Sequence, residues 1–159
     1  MYQPMRKADR ALTPAESLQL LMKGEYGFLA TVDREGQPYA VPLSYVLMDG
    51  AIYFHTALEG YMLDNLRHES RTHFTVVGET EPHLEGKANF TTSFESVMVF
   101  GRAFEVTDRE ERTKALLALC EKYVPGHTEM ARKVSAACVR SAVWKVSLDH
   151  VTGKAKRKL

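Results

Sequence analysis

A histidine side chain can hold a proton, pass one on or bind a metal near neutral pH, and this chain has six of them. His55 stands apart by its position. It closes the apolar run Ala51-Ile52-Tyr53-Phe54 and is followed at once by Thr56, with Glu59 three residues further on. That order reads as a strand that delivers a histidine to the mouth of a helix. The free N–H groups and positive dipole end of such a helix favour an anion such as a phosphate. A plainer reading fits the same residues: Thr56 and Glu59 cap each other as a capping box, and His55 is a partly exposed packing residue. A glutamate at that place also works against a bound anion.

Other chemistries find less support. His68 and His73 straddle a helix-to-strand turn, and His83, His127 and His150 stand alone. No histidine pair has metal-ligand spacing beside a carboxylate, so no metal site is expected. There is no GxGxxG and no GxxxxGK[ST], which removes the two common nucleotide-binding loops. Ser44, Ser93 and Ser96 lack the GxSxG setting of a nucleophile elbow.

The elements that must position His55 follow from pattern. Thr13-Pro14-Ala15-Glu16 is a capping box with proline at the first helical position, and Leu18, Leu21 and Met22 give that helix an apolar face up to Gly24. A first strand is expected over Tyr26–Val32 and a second over Gln37–Met48, where Val41, Leu43, Tyr45 and Leu47 share one face. Pro42 cannot donate to a ladder, so it marks an edge, a bulge or a place where a ligand replaces a neighbouring strand. Asp49-Gly50 signals a type I′ turn into the strand that ends at His55. The next helix should start at Thr56 and turn Leu58, Met62, Leu63 and Leu66 inward. Arg71–Val77 is a fourth strand, Gly78–Thr92 the longest loop and Ser93–Val106 a fifth strand. Asp108 starts a helix with the stripe Leu116, Leu119, Cys120 and Tyr123, and Pro125-Gly126 ends it. A short helix over His127–Ala137 and a last strand over Val139–Leu148 complete the chain, with Lys154-Ala155-Lys156-Arg157-Lys158 as a solvated end.

The fifth strand is apolar on both faces. Val97, Val99, Gly101 and Ala103 lie on one, and Met98, Phe100, Phe104 and Val106 on the other. One face can fill a barrel, while the other needs a helix of the same chain or a second subunit. Gly101 implies a bulge or a close backbone approach.

The chain as a whole reads as one domain over residues 1–159, 45% apolar and 26% charged. Lys plus Arg number 21 against 20 Asp plus Glu, so no large field points to nucleic acid or a membrane surface. Cys120 and Cys138 form no CxxC and no disulfide framework, and no stretch approaches the roughly 18 apolar residues of a membrane span. A cytoplasmic location is expected. Three strands run without a helix between them, which excludes a doubly wound parallel sheet. The expected fold is mainly β (α+β): a six-stranded antiparallel barrel with flanking helices.

Several segments, in this order, resemble the pyridoxamine 5′-phosphate oxidase-like flavoproteins, within them the branch of the 5-nitroimidazole-resistance proteins. They are Gly27–Val32, Tyr39–Tyr45, Ile52–Ala57 with Gly60, Ser96–Ala103, and Trp144–Asp149 with Gly153-Lys154. The resemblance implies a split β-barrel, a homodimer and one FMN at each end of the subunit interface. It places Pro42, Leu43, Ser44 and Tyr45 along the isoalloxazine, and His55, Thr56, Gly60, Met62 and Leu63 around the flavin or its phosphoribityl chain. Phe94, Ser96, Val97 and Trp144 would come from the partner subunit. His55 matches the histidine that those resistance proteins hold beside the flavin, where it would act on a small planar acceptor as the catalytic residue.

The chain also departs from the family. Tyr39–Tyr45 has no basic residue where the oxidases carry one, Met62 stands where many relatives have a basic residue, and the oxidases' terminal substrate-binding segment is missing. Oxidation of pyridoxamine 5′-phosphate is therefore disfavoured. Arg6, Lys7 and Arg67 are the candidates for balancing the FMN phosphate. The competing expectation is a flavin- or haem-binding module with no turnover.

Overall fold

The computed structural model describes residues 2–137 and 141–157, so Cys138 and the expected strand start at Val139 lie outside the described residues. Helix α1 (Pro14–Lys23) opens on the expected box: the Thr13 hydroxyl accepts from the Glu16 N–H, and the Glu16 carboxylate accepts from the Thr13 N–H at 2.8 Å. The strands are β1 (Gly27–Val32), β2 (Pro38–Leu43), β3 (Val46–Met48), β4 (Ala51–Thr56), β5 (Arg71–Glu85), β6 (Asn89–Glu105), β7 (Ala142–Ser147) and β8 (His150–Lys156). Helix α2 (Tyr61–His68) follows β4, and α3 (Arg109–Tyr123) and α4 (Thr128–Ala137) lie between β6 and β7. All strand pairs are antiparallel, in the order β2-β1-β5-β6-β7-β4-β3, with β8 also on β6. The edges β2 and β3 do not pair, so the sheet folds round one core without closing.

There are eight strands where six are expected, for two reasons. The expected Gln37–Met48 strand breaks at Ser44-Tyr45. The Tyr45 N–H donates to the Tyr123 hydroxyl at 2.9 Å, and the Tyr45 carbonyl accepts from Lys122 Nζ at 3.0 Å. Side chains of α3 thus take the backbone groups that a ladder would use. The second reason is the basic tail, which is the strand β8: Gly153 and Ala155 are buried while Lys154 and Lys156 alternate to the other face. The expected loop Gly78–Thr92 is the extension of β5 and β6 into one long hairpin.

The core holds Leu21, Leu29, Ile52, Phe54, Phe74, Val76, Val97, Val99 and Val146, all fully buried. A second cluster of Tyr53, Val106, Ala115 and Val143 seats α3 on the opposite face of β4. Ile52, Tyr53 and Phe54 are therefore covered on both sides, which fixes the strand that ends at His55. Gly101 meets the expectation of a close approach: a Cβ there would stand 1.9 Å from the Ser147 carbonyl oxygen. Along β6, Val97, Val99 and Ala103 point into the core; on the expected second face Met98, Phe100 and Phe104 stay exposed, whereas Val106, just past the strand, is buried against α3. Tyr2 covers part of that face, stacked on His150 at 4.5 Å and 5.1 Å from the Phe100 ring. Among the described residues no helix is long and apolar enough to cross a membrane.

Candidate functional site

The end of β4, the loop after it, the first turn of α2 and the edge strand β2 enclose an open cleft of about 340 Å³. Its walls are Tyr39, Val41, Pro42 and Leu43 on β2, His55 and Thr56 on β4, Ala57, Glu59 and Gly60 in the loop, and Tyr61, Met62 and Leu63 on α2. Pro42 is tolerated because β2 has a partner on one side only. Val41 and Leu43 back onto the core, so this wall is apolar and firmly seated.

The expected capping box at Thr56 does not form. The helix starts at Tyr61, with Gly60 at the cap in a conformation (φ 139°) that only glycine takes readily. The Thr56 hydroxyl donates instead to the Ala57 carbonyl at 2.7 Å, and Leu58 is exposed rather than inward. Arg67 pins the loop by donating to the Leu58 carbonyl at 3.2 Å. Among the described residues no side chain caps α2, so the N–H groups of its first turn, at Tyr61, Met62 and Leu63, face the cleft wall without a side-chain acceptor. This arrangement can bind an anion.

The imidazole of His55 is exposed and makes no hydrogen bond to the described residues. Among the lining residues His55 is the one that can become cationic, and Glu59 brings a negative charge. Among the described residues no lysine or arginine lines the cleft. Arg67 stands behind it, 3.7 Å from Asp64, and Arg6 and Lys7 are not among its walls. One end is closed by an aromatic pair: Tyr39 and Tyr61 meet edge to face at 4.7 Å. The Tyr61 hydroxyl donates to Asp33 Oδ2 at 2.6 Å, while Asp33 Oδ1 accepts from the N–H groups of Glu35 and Gln37. That bond holds the Asp33 carboxyl below its usual range and pushes the Tyr61 phenol up to about 12.

Of the residues singled out in the sequence, the cleft brings together Pro42, Leu43, His55, Thr56, Gly60, Met62 and Leu63. Ser44 is exposed in the link between β2 and β3 and is not on its wall. Tyr45 is fully buried; its hydroxyl donates to the Leu21 carbonyl and its ring packs on Phe74 at 4.9 Å. Phe94 and Ser96 lie far along the chain on β6, each lining a separate groove. Val97 is fully buried, and Trp144 is 3% exposed with an indole N–H that has no partner among the described residues. Sequence reasoning missed Tyr39 and Tyr61. Tyr39 could have been found by stepping back two residues from Val41 along the same face, and Tyr61 by starting the helix at Gly60.

The fold has many solved counterparts. A putative 5-nitroimidazole antibiotic resistance protein from Bacteroides thetaiotaomicron is 22% identical, covering 91% of this chain and 86% of its own, with a TM-score of 0.75. The flavocytochrome Anf3 from Azotobacter vinelandii is 20% identical over 98% of this chain and 73% of its own, at 0.82. A FAD and heme binding protein from Mycobacterium smegmatis is 20% identical over 94% and 74%, at 0.79. These likenesses establish the fold. No match is found among the curated proteins. The sequence model described as pyridoxamine 5′-phosphate oxidase matches residues 13–155, nearly the whole chain, and the chain therefore belongs to the pyridoxamine 5′-phosphate oxidase family.

Proposed function

We propose that the cleft binds FMN, that a second copy of the chain closes its open side, and that the protein is an oxidoreductase that reduces a small planar acceptor there. The observation that carries this reading is the uncapped first turn of α2 in the same cleft as the apolar edge strand that carries Pro42 and Leu43. A flavin mononucleotide has the matching halves, a planar ring system and one phosphate. The descriptions of two relatives with this fold, a flavocytochrome and a FAD and heme binding protein, support a flavin there, and the choice of FMN rests on the single anion position.

The donor set fits a phosphate in kind but leaves it short of charge. The first-turn N–H groups can donate, whereas Glu59 brings a negative charge that opposes it. A phosphate monoester carries about −1.5 to −2. The remaining countercharge comes, in this reading, from Lys154 of the partner subunit. In its own chain Lys154 sits beside Phe94, Nζ 5.8 Å from the ring centroid, and makes no ion pair with the described residues. Phe94 and Ser96 would approach from the same side. Val97 and Trp144 are buried in their own core, so their reach across a seam would be through backbone alone.

Bound FMN would supply the electron-transfer chemistry. Pro42 and Leu43 would support one face of its ring and keep water from it, and Tyr39 with Tyr61 would bound the space left for the acceptor. His55 would hold a proton on its imidazole at the cleft mouth and deliver it to the reduced acceptor. Oxidation of pyridoxamine 5′-phosphate is not the reaction proposed, because the lining residues offer no lysine or arginine for a second phosphate.

Two measurements test this. The mass of the ligand released by heating the purified protein should be that of FMN; FAD, haem or a deazaflavin as the main species refutes the cofactor assignment. Chemically reduced protein should be reoxidised faster with a nitroaromatic present than without it. An acceptor-independent rate refutes the enzymatic part and favours a binding module.

A further inference from the structure

The hairpin of β5 and β6 runs well past the body of the sheet. β1 leaves β5 at Thr75 and β8 leaves β6 at Phe94, so the five pairs from Glu81↔Ser93 to Glu85↔Asn89 have no third strand among the described residues. At about 3.3 Å per residue this is an arm of roughly 17 Å. A two-stranded ribbon is marginal in water by itself. Here Lys156 braces it, donating to Glu85 at 3.2 Å and to Thr91 at 2.5 Å. At its tip Leu84 and Phe90 face each other across the strands, 79% and 81% exposed, against 60% for the next large apolar side chain.

The arm continues a particular face. On β6, alternation puts Phe90 in one row with Phe94, Met98 and Phe100. On β5, the register shifts between Val77 and Thr80. Without that bulge Glu81 and Glu85 would follow Val77 into the apolar row; with it, Thr80, Pro82 and Leu84 do. The register thus keeps the face free of carboxylates up to the tip.

We propose that this arm clasps a second copy of the chain, with Leu84 and Phe90 packed on the partner. The area argues for that occupant. Phe28, Val77, Met98, Phe100 and Phe104 are 37% to 50% exposed on the body of the sheet and offer roughly 400 Å². The two tip residues add roughly 300 Å². Together they approach the about 800 Å² per partner of a stable interface, which the body face alone does not. The inference rests on the two-copy reading above and assigns the segment that completes it.

The test is sedimentation of the full-length protein over a concentration series, which needs no bound flavin. Leu84→Thr with Phe90→Thr keeps strand propensity while removing the apolar tip. The dimer dissociation constant should rise about 10–100-fold, while the control Val124→Thr, an exposed apolar residue at the end of α3, leaves it unchanged. A dimer constant unaffected by the tip variant overturns the clasp and leaves the dimer and the cofactor site standing. A parent that is monomeric throughout overturns the clasp and the two-copy reading together.

Discussion

Replacing Lys122 with methionine perturbs one junction and leaves the cleft walls themselves unchanged. The ammonium of Lys122 donates to the Gly24 carbonyl at 2.7 Å and to the Tyr45 carbonyl at 3.0 Å, and it lies 3.9 Å from the centre of the Tyr45 ring. It therefore ties the end of α3 to the end of α1 and to the break between β2 and β3. Methionine keeps the length and loses every polar contact. Two charge-assisted hydrogen bonds are worth about 1.5–3 kcal/mol each when intact, but the half-buried carbonyls recover part of that from water, so we expect a net loss of about 2 kcal/mol. For a chain of this size that is about 4–8 °C in Tm. Urea unfolding at pH 7 measures it, and a change below about 0.5 kcal/mol would refute the bracing role.

The same variant carries a pH test. Burial lowers the Lys122 pKa from 10.5 to about 8. Between those values the unfolded chain binds the extra proton, so the stability of the parent relative to Lys122→Met rises as pH increases from 8 toward 10.5. A flat or falling difference would show that the ring and the carbonyls outweigh desolvation.

Three further outcomes are expected. Gly101→Ala should cost at least about 3 kcal/mol in urea unfolding, since its Cβ would overlap the Ser147 backbone 1.9 Å away, and there is no side chain to move aside. Trp144→Phe should stay within about 1 kcal/mol of the parent, because the buried indole N–H has no partner to lose among the described residues; a larger drop would show that it has one. His55→Ala should keep the fold and most of the bound flavin, yet slow nitroaromatic reduction about 10²–10⁴-fold. Unchanged turnover in the variant would make His55 a packing residue.

The parts legible in the sequence were those whose cause lies within a few residues. Thr13 to Glu16 holds its own cap, and Asp49-Gly50 turns with φ of 50° and 75°, as a type I′ turn requires. Period two through Val41 and Leu43, followed by His55, located the two walls of the cleft. What failed had distant or competing causes. The break at Tyr45 depends on Lys122 and Tyr123, nearly eighty residues on. The box at Thr56 matches its pattern, but Gly60 supplies a sharper entry to the helix. Pro82 and Gly86 suggested a loop, whereas an arm with free edges tolerates the one and turns at the other. In β8 the inward residues are Gly153 and Ala155, too small to register as an apolar stripe, and Gly153 is needed because a Cβ would strike Ser17 and Leu12.

The central claim is that the uncapped start of α2 receives the phosphate of a flavin. Thr56→Glu would add a second carboxylate to the cleft that those N–H groups line, and its effect can be read by fluorescence titration of FMN and of riboflavin, which lacks the phosphate. FMN binding should weaken at least about tenfold while riboflavin binding stays within about threefold. Equal loss for both ligands, or no loss for FMN, would contradict the claim.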